Sequence, residues 1–388
     1  MGERACALES AAYRKLREAF INREEAISKL KQTGKKTVFM LGDDVPEEVI
    51  LASGMQPVRL TGYYGERPNA DKYLEISFGA VWRGLFEALV NGTYDDVMDH
   101  LVMSNSSDLI LKLYYYLLQL KKIEPQRYIP DIHYIDYSLI SRDYRSQRRN
   151  IRETEEFISR AEDWSGKKIS ETALIEAAQL CNEHRQALRS FSALRYGEDC
   201  RITGVEAISA IGGSFFLEKK EAAELLNELA AIAASWPKVD AARIYYTGSL
   251  QENTELYEKI GAAGGNVISE DKLFGDRYAD ADVNLSLPIT EAVTLRYQFR
   301  FPSSERAFVR ERAVCIPERL SEVGAQAMII FMNHNDESYI WDFPKQKEQL
   351  DNMKIPVLIV EKQHYPLRNT EELDLKLACF INEVKAVI

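Results

Sequence analysis

"TVFMLGDDVPEEVILASGMQPVRL", residues Thr37 to Leu60, decides the fold. It opens on a short apolar run closed by Gly42, the punctuation of a buried strand. Asp43 and Asp44 occupy the turn, and Pro46 stands where a first helical turn tolerates proline, because an N–H there has no intrahelical partner. A second extended run ends in Arg59. Strand, turn, helix and strand in so short a span make a βαβ unit, the building block of a parallel sheet.

The alternation extends outward. Leu8, Tyr13, Leu16, Phe20, Ile27 and Leu30 recur at helical spacing, so residues 8 to 32 are expected to lead in as helix. "GAVWRGLFEALVNG" reads as a helix stopped by Gly92, "DHLVMSNSSD" as a strand ending in hydroxyls, "LILKLYYYLLQLKK" as a helix ended by Pro125, and "RYIPDIHYIDY" as extended. From about 144 to 235 long helices follow without strands, among them "SETALIEAAQLCNEHRQALRSFSALR" with its N-terminal cap. After Pro237 the pattern resumes, with "ARIYYTGS", "NVISED", "AMIIFMNHND" and "IPVLIVEKQ" as strands between helices. The expected fold class is α/β, with two parallel-sheet domains of Rossmann-like or flavodoxin-like type. They occupy 1–143, with its leading helix, and 238–388, joined by a helical region at 144–237.

Bulk properties exclude several function classes. The net charge of −11 argues against nucleic acid as the main partner, since phosphate binding needs a surplus of Lys and Arg on one face. No run approaches the ~18 apolar residues of a membrane span, and "MGERACALES" lacks the basic and apolar regions of a signal peptide. No membrane partner and a cytoplasmic location are expected. Cys6, Cys181, Cys200, Cys315 and Cys379 form no CxxC pair, and the histidines form no i, i+4 pair, so no metal site is expected from local spacing.

Open parallel sheets bind ligands outside the carboxyl ends of their strands. The loops to watch are Gly42 to Glu47, Ser104 to Asp108, Thr247 to Gln251, Phe274 to Tyr278 and Asn333 to Asp336. "GDDVPEE" reads as a carboxylate pair for acid–base work or as ordinary capping, with Glu47 and Glu48 favoured in a first helical turn. "SNSSD" lacks the glycines and lysine of a P-loop, and "TGS" offers backbone amides at a helix start. "AIGGSFF" suits a bend or close helix packing, while "YYY" at 114–116 and "FRFP" at 299–302 suit core or an apolar pocket lining. Arg59, Arg83, Arg277 and Arg300 lie near strand or loop ends, where guanidinium groups match carboxylate or phosphate.

In order and spacing, four stretches resemble the 2-hydroxyacyl-CoA dehydratase subunits and their relatives, the ATP-dependent benzoyl-CoA reductase subunits. They are "VPEEVILASGMQPVRL", "NEHRQALRSFSALR", "YYTGSLQENTELYEKIGAAGGNVISEDKLFGDRY" and "HNDESYIWDFPKQKEQLDNMKIPVLIVE". The resemblance implies dimers of related subunits, a [4Fe-4S] cluster held by cysteines, and an ATP-dependent activator that injects one electron. In the dehydratases that electron allows water loss from an acyl-CoA; in the reductases it reduces an aromatic ring. This chain departs from the family at the cysteine positions, which read Ser77, Ser107, Leu273 and Asn333, with Ser303-Ser304 after "RYQFRFP" and Arg83 near Ser77. Serine and asparagine are poor ligands for iron normally held by thiolate. The resemblance therefore implies a chain that binds no cofactor of its own, beside a paralogous partner that carries the [4Fe-4S] cluster. Asp43, Ser107, Asp108 and Asn333 are expected to line an acyl-CoA pocket, with Arg59 and Arg277 as anion contacts. The alternatives are a benzoyl-CoA reductase-type subunit, or a non-enzymatic acyl-CoA binding or interaction protein on the same scaffold.

Overall fold

The computed structural model describes residues 2–138, 143–303, 305, 307–336 and 338–387. Ser304, one of the positions noted above, lies outside them. The chain runs α1 (Ala5–Glu9), α2 (Ala11–Ile21), α3 (Arg23–Gln32), β1 (Thr37–Leu41), α4 (Glu47–Ala52), β2 (Gln56–Arg59), α5 (Pro68–Tyr73), α6 (Ala80–Val90), β3 (His100–Ser104), α7 (Asp108–Ile123) and β4 (Asp131–Ile135). Four long helices follow: α8 (Tyr144–Ser165), α9 (Glu171–Ser192), α10 (Gly204–Gly213) and α11 (Lys219–Ala233). The last part comprises β5 (Ala242–Gly248), α12 (Glu255–Ala262), β6 (Gly265–Glu270), α13 (Ile289–Gln298), α14 (Val309–Val323), β7 (Ala327–Asn333), α15 (Phe343–Asn352), β8 (Val357–Gln363) and α16 (Glu371–Val387).

Both sheets are parallel and four-stranded, in the orders β2-β1-β3-β4 and β6-β5-β7-β8. The α/β class with two parallel sheets is thus the observed one. Each order reverses direction once, between β1 and β3 and between β5 and β7, and these switch points leave crevices at the strands' carboxyl ends. Strands β1, β6 and β7 are buried along their whole length, as parallel strands covered on both faces must be.

The two-residue period of a strand sorts its side chains between cores. Val38, Met40 and Val102 face α4, α8, α9 and α13, in a cluster with Val49, Phe157, Leu174 and Val293. Tyr245, Met328, Ile330 and Met332 face α14 and α15, against Ile316, Leu320 and Leu350. The opposite faces, Phe39, Leu41, Leu101 and Met103 of the first sheet and Ile244, Tyr246, Ile329 and Phe331 of the second, belong to one continuous core with α2, α7, α10 and α11. Burying each large apolar side chain contributes about 1.5–3 kcal/mol, so the shared core ties both sheets to the helices between them.

Three departures from expectation have local causes. The leading helix is broken into three, because the Ser10 side chain caps α2 by accepting from Tyr13 N, and Asn22 adopts φ −104° and ψ 53°. Helix α13 has no counterpart among the predicted elements, and neither has α14, which continues through Pro317 in its interior, a residue that usually argues against helix. "AIGGSFF" holds the end of α10, where a Cβ at Gly213 would lie 1.9 Å from Leu16 O and one at Gly212 would lie 2.4 Å from the Phe20 ring. Close packing of α10 on α2 is the reason for both glycines.

Candidate functional site

The crevices of the two sheets face each other across a cavity of about 60 Å³. The loop after β1 supplies Gly42 and Asp43, the loop after β3 supplies Ser106, and the loops after β5 and β6 supply Leu250, Lys272, Leu273 and Phe274. Arg59 closes one side from β2, and Trp82 and Leu85 close another from α6. Four of the five loops singled out in sequence meet here.

Gly42 makes the turn possible. Its φ is +111°, and a Cβ there would lie 2.2 Å from Ser104 Oγ and 2.8 Å from Ser106 Oγ. Those hydroxyls accept from the next amides, Ser104 Oγ from Asp44 N at 3.3 Å and Ser106 Oγ from Asp43 N at 3.0 Å. The end of β3 thereby moulds the end of β1.

The arginines expected to contact an anion are engaged within the protein. Arg59 donates to Gly42 O at 2.6 Å, and Arg277 pairs with the Asp43 carboxylate while donating to Phe301 O at 3.0 Å. Arg300 donates to Asp43 O and, at 2.5 Å, to Arg277 O. Arg277 and Arg300 fasten the β1–α4 loop to the C-terminal part of the chain, and Arg59 ties the same loop to β2. Asp44 is buried with neither oxygen hydrogen-bonded among the described residues; burial raises its pKa against the pull of Arg277 and Arg300, whose Nη1 lies 3.8 Å away.

At the start of α4, Glu47 and Glu48 are buried and paired with cations. Lys219 Nζ donates to Glu47 at 2.6 Å and to Tyr278 OH at 3.0 Å; Arg185 pairs with Glu48, which also accepts from Tyr297 OH at 2.9 Å. Burial alone would raise the Glu47 pKa, but Lys219 and Arg59 outweigh it and hold the carboxyl at about 2. Glu47 is therefore a fixed anion rather than a proton carrier. In the cavity wall, burial pushes the Lys272 amine down against the opposing pull of Asp271, 3.7 Å away, and its Nζ stands 4.2 Å from the centre of the Tyr339 ring.

Of the other residues predicted for the site, Leu273 lines the cavity. Ser107 is buried as the N-cap of α7, accepting from Leu109 N at 3.3 Å, and Asp108 is exposed in that helix's first turn. Asn333 is buried at the end of β7, its side-chain amide without a partner among the described residues. Ser77 is exposed near Glu75, and Arg83 pairs with Asp71 at 2.5 Å, both outside the cavity lining. Sequence reasoning missed Ser106, Trp82 and Lys272. Within "SNSSD" the capping role taken by Ser107 leaves Ser106 as the serine that faces β1, a phase readable only once the helix start is known.

This is the geometry of an α/β subunit built around a crevice between two parallel sheets. The chain belongs to the family described as 2-hydroxyglutaryl-CoA dehydratase, D-component, which residues 44–384 match. It is 23% identical over 366 residues to the (R)-phenyllactyl-CoA dehydratase beta subunit of Clostridium sporogenes, covering 90% of this chain and 92% of that one. It is 23% identical over 340 residues to the (R)-2-hydroxyglutaryl-CoA dehydratase beta subunit of Acidaminococcus fermentans, covering 85% and 88%. A benzoyl-CoA reductase subunit of Thauera aromatica matches at 23% over 256 residues, 64% of each chain.

The residues present do not fit the [4Fe-4S] cluster that the resemblance implies. Among the described residues the cavity lining contains no thiolate, and no group of His, Cys, Asp and Glu is placed to hold a metal. Cys6, Cys181, Cys315 and Cys379 lie on α1, α9, α14 and α16, and Cys200 is buried between helices with its thiol donating to Ile202 O at 3.3 Å. The volume, about 60 Å³, admits a water or two rather than an acyl group, for which about 300 Å³ is the usual lower bound. Among the described residues no helix is long and apolar enough to cross a membrane.

Proposed function

We propose that the chain is the beta-type half of a 2-hydroxyacyl-CoA dehydratase-like complex, working beside a paralogous subunit that carries the [4Fe-4S] cluster and is served by an ATP-dependent activator. The family match over residues 44–384, combined with a cavity lining that offers no thiolate among the described residues, carries this reading. Dehydration is favoured over ring reduction because the dehydratase subunits named above align over 85–90% of this chain, against 64% for the reductase subunit. In this role the chain supplies a rigid wall to the acyl-CoA pocket. Ser106, Lys272 and Arg59 present polar groups at the crevice, and the buried ion pairs keep that wall in one conformation.

Iron and acid-labile sulfide, measured after strictly anaerobic purification, test the proposal. The expected result is no iron in the chain alone and stoichiometric iron in a complex co-purified with a cluster-bearing paralogue. Stoichiometric iron in the lone chain would overturn the assignment.

A further inference from the structure

A second depression, of about 580 Å³, lies between the segment from Arg67 to Arg83 and the loops that follow β7 and β8. Three guanidinium groups line it, those of Arg67, Arg83 and Arg368, together with the exposed imidazoles of His334 and His364. Among the described residues Asp71 is the one carboxylate in the lining, and it is paired with Arg83 at 2.5 Å. On a chain of net charge −11 this is a local reversal of sign. Arg368 is exposed and has no ion-pair or hydrogen-bond partner among the described residues, and Arg67 uses Nη1 on Ala80 O at 3.0 Å. The lips are fixed to each other, since Asn335 Nδ2 donates to Ile76 O at 2.8 Å.

We propose that this groove binds the nucleotide diphosphate end of a ligand, the chemistry that forms the distal part of coenzyme A. Guanidinium forks match phosphate oxygens, and the volume falls in the range of small-molecule sites, about 300–1,000 Å³. Apolar surface selects a nucleotide over a bare anion: Leu74 and Phe78 form the floor, and Ile76, 90% exposed, stands at the edge where a base can lie. The groove and the crevice are neighbours across α6. Helix α6 presents Ala80 and Arg83 to the groove and Trp82 and Leu85 to the cavity, and β7 ends at Asn333 just before His334 enters the lining. A ligand lying across α6 would have its phosphates among the arginines and its other end outside the crevice, on the cavity side of that helix. The choice of coenzyme A rests on the acyl-CoA reading above, whereas the diphosphate site rests on the groove itself.

Calorimetric titration of the full chain with ADP, with unacylated CoA and with inorganic phosphate tests it, using wild type and Arg368→Glu. Removing a charge-assisted contact and reversing its sign is expected to weaken ADP and CoA by roughly tenfold or more. Inorganic phosphate is expected to bind far more weakly than either. Arg67→Ala provides a second variant, and an unchanged melting temperature establishes that each remains folded. Absence of ADP binding, equal ADP binding in wild type and Arg368→Glu, or inorganic phosphate binding as tightly as ADP would each overturn the nucleotide site. Failure of the acyl-CoA reading looks different: ADP would bind and respond to Arg368→Glu while CoA and acyl-CoA esters would not bind. Conversely, acyl-CoA stabilising both proteins equally would preserve that reading and remove the groove from it.

Discussion

Glu47 shows how a residue with an ordinary local explanation acquires a larger role. A glutamate in the first turn of a helix is what the backbone dipole favours, yet this one is buried and paired with Lys219 from α11. A buried ion whose partner is removed keeps its desolvation penalty without compensation. Lys219→Met is expected to cost about 3–5 kcal/mol in denaturant unfolding, and adding Glu47→Gln should recover a large part of it. The pH dependence has a definite sign. With the folded carboxyl held at about 2 and an unfolded value near 4.3, the pair's contribution is complete above about pH 4.3 and is lost as pH falls towards 2. The double variant should lack that part of the acid loss; the same acid slope in both proteins would show that Glu47 is not held low.

At the scale of elements, most of the pattern was legible because periodicity and punctuation agree. The central strands β1, β3, β5 and β7 announce themselves as short apolar runs that end in, or are followed by, Gly, Ser or Asn, and the helices between them are amphipathic. Less visible were features that depend on tertiary neighbours: Ser10 and Asn22 dividing one apolar helical stripe into separate helices, Pro317 accommodated inside α14, and Ser106 rather than Ser107 facing Gly42. The candidate site was legible as a set of loops but not as a set of contacts, since Arg59, Arg277 and Arg300 turned out to hold protein carbonyls and carboxylates. Gly213 offers a test of element packing, because any Cβ there meets the Leu16 carbonyl backbone rather than a side chain able to move aside. Gly213→Ala is expected to destabilise by about 1–3 kcal/mol despite the better helix propensity of alanine, lowering the melting temperature. A rise in melting temperature would mean that α2 and α10 are not in contact at this point.

The whole molecule raises the question of whether two sheets mean two folding units. At 388 residues the chain exceeds the ~250–300 at which single cores usually stop growing, and chains of this size commonly unfold in separate steps. Here the facing sides of both sheets enter one apolar core with α2, α10 and α11, so separating the sheets would expose Phe39, Leu41, Ile244 and Phe331 together. Buried and half-buried pairs cross the same boundaries. Asp43 with Arg277 joins the first sheet's switch point to the last part of the chain, while Glu47 with Lys219 and Glu48 with Arg185 join it to the helical region. Opening any one of these boundaries leaves charges without partners in addition to the apolar exposure, so a state with one sheet folded and the other unfolded carries both costs. Scanning calorimetry should therefore show a single transition with calorimetric and van't Hoff enthalpies equal, and Lys219→Met should shift that transition as a whole. Two resolved transitions, with Lys219→Met moving only one of them, would show that the sheets fold independently and that the shared core is a docking interface.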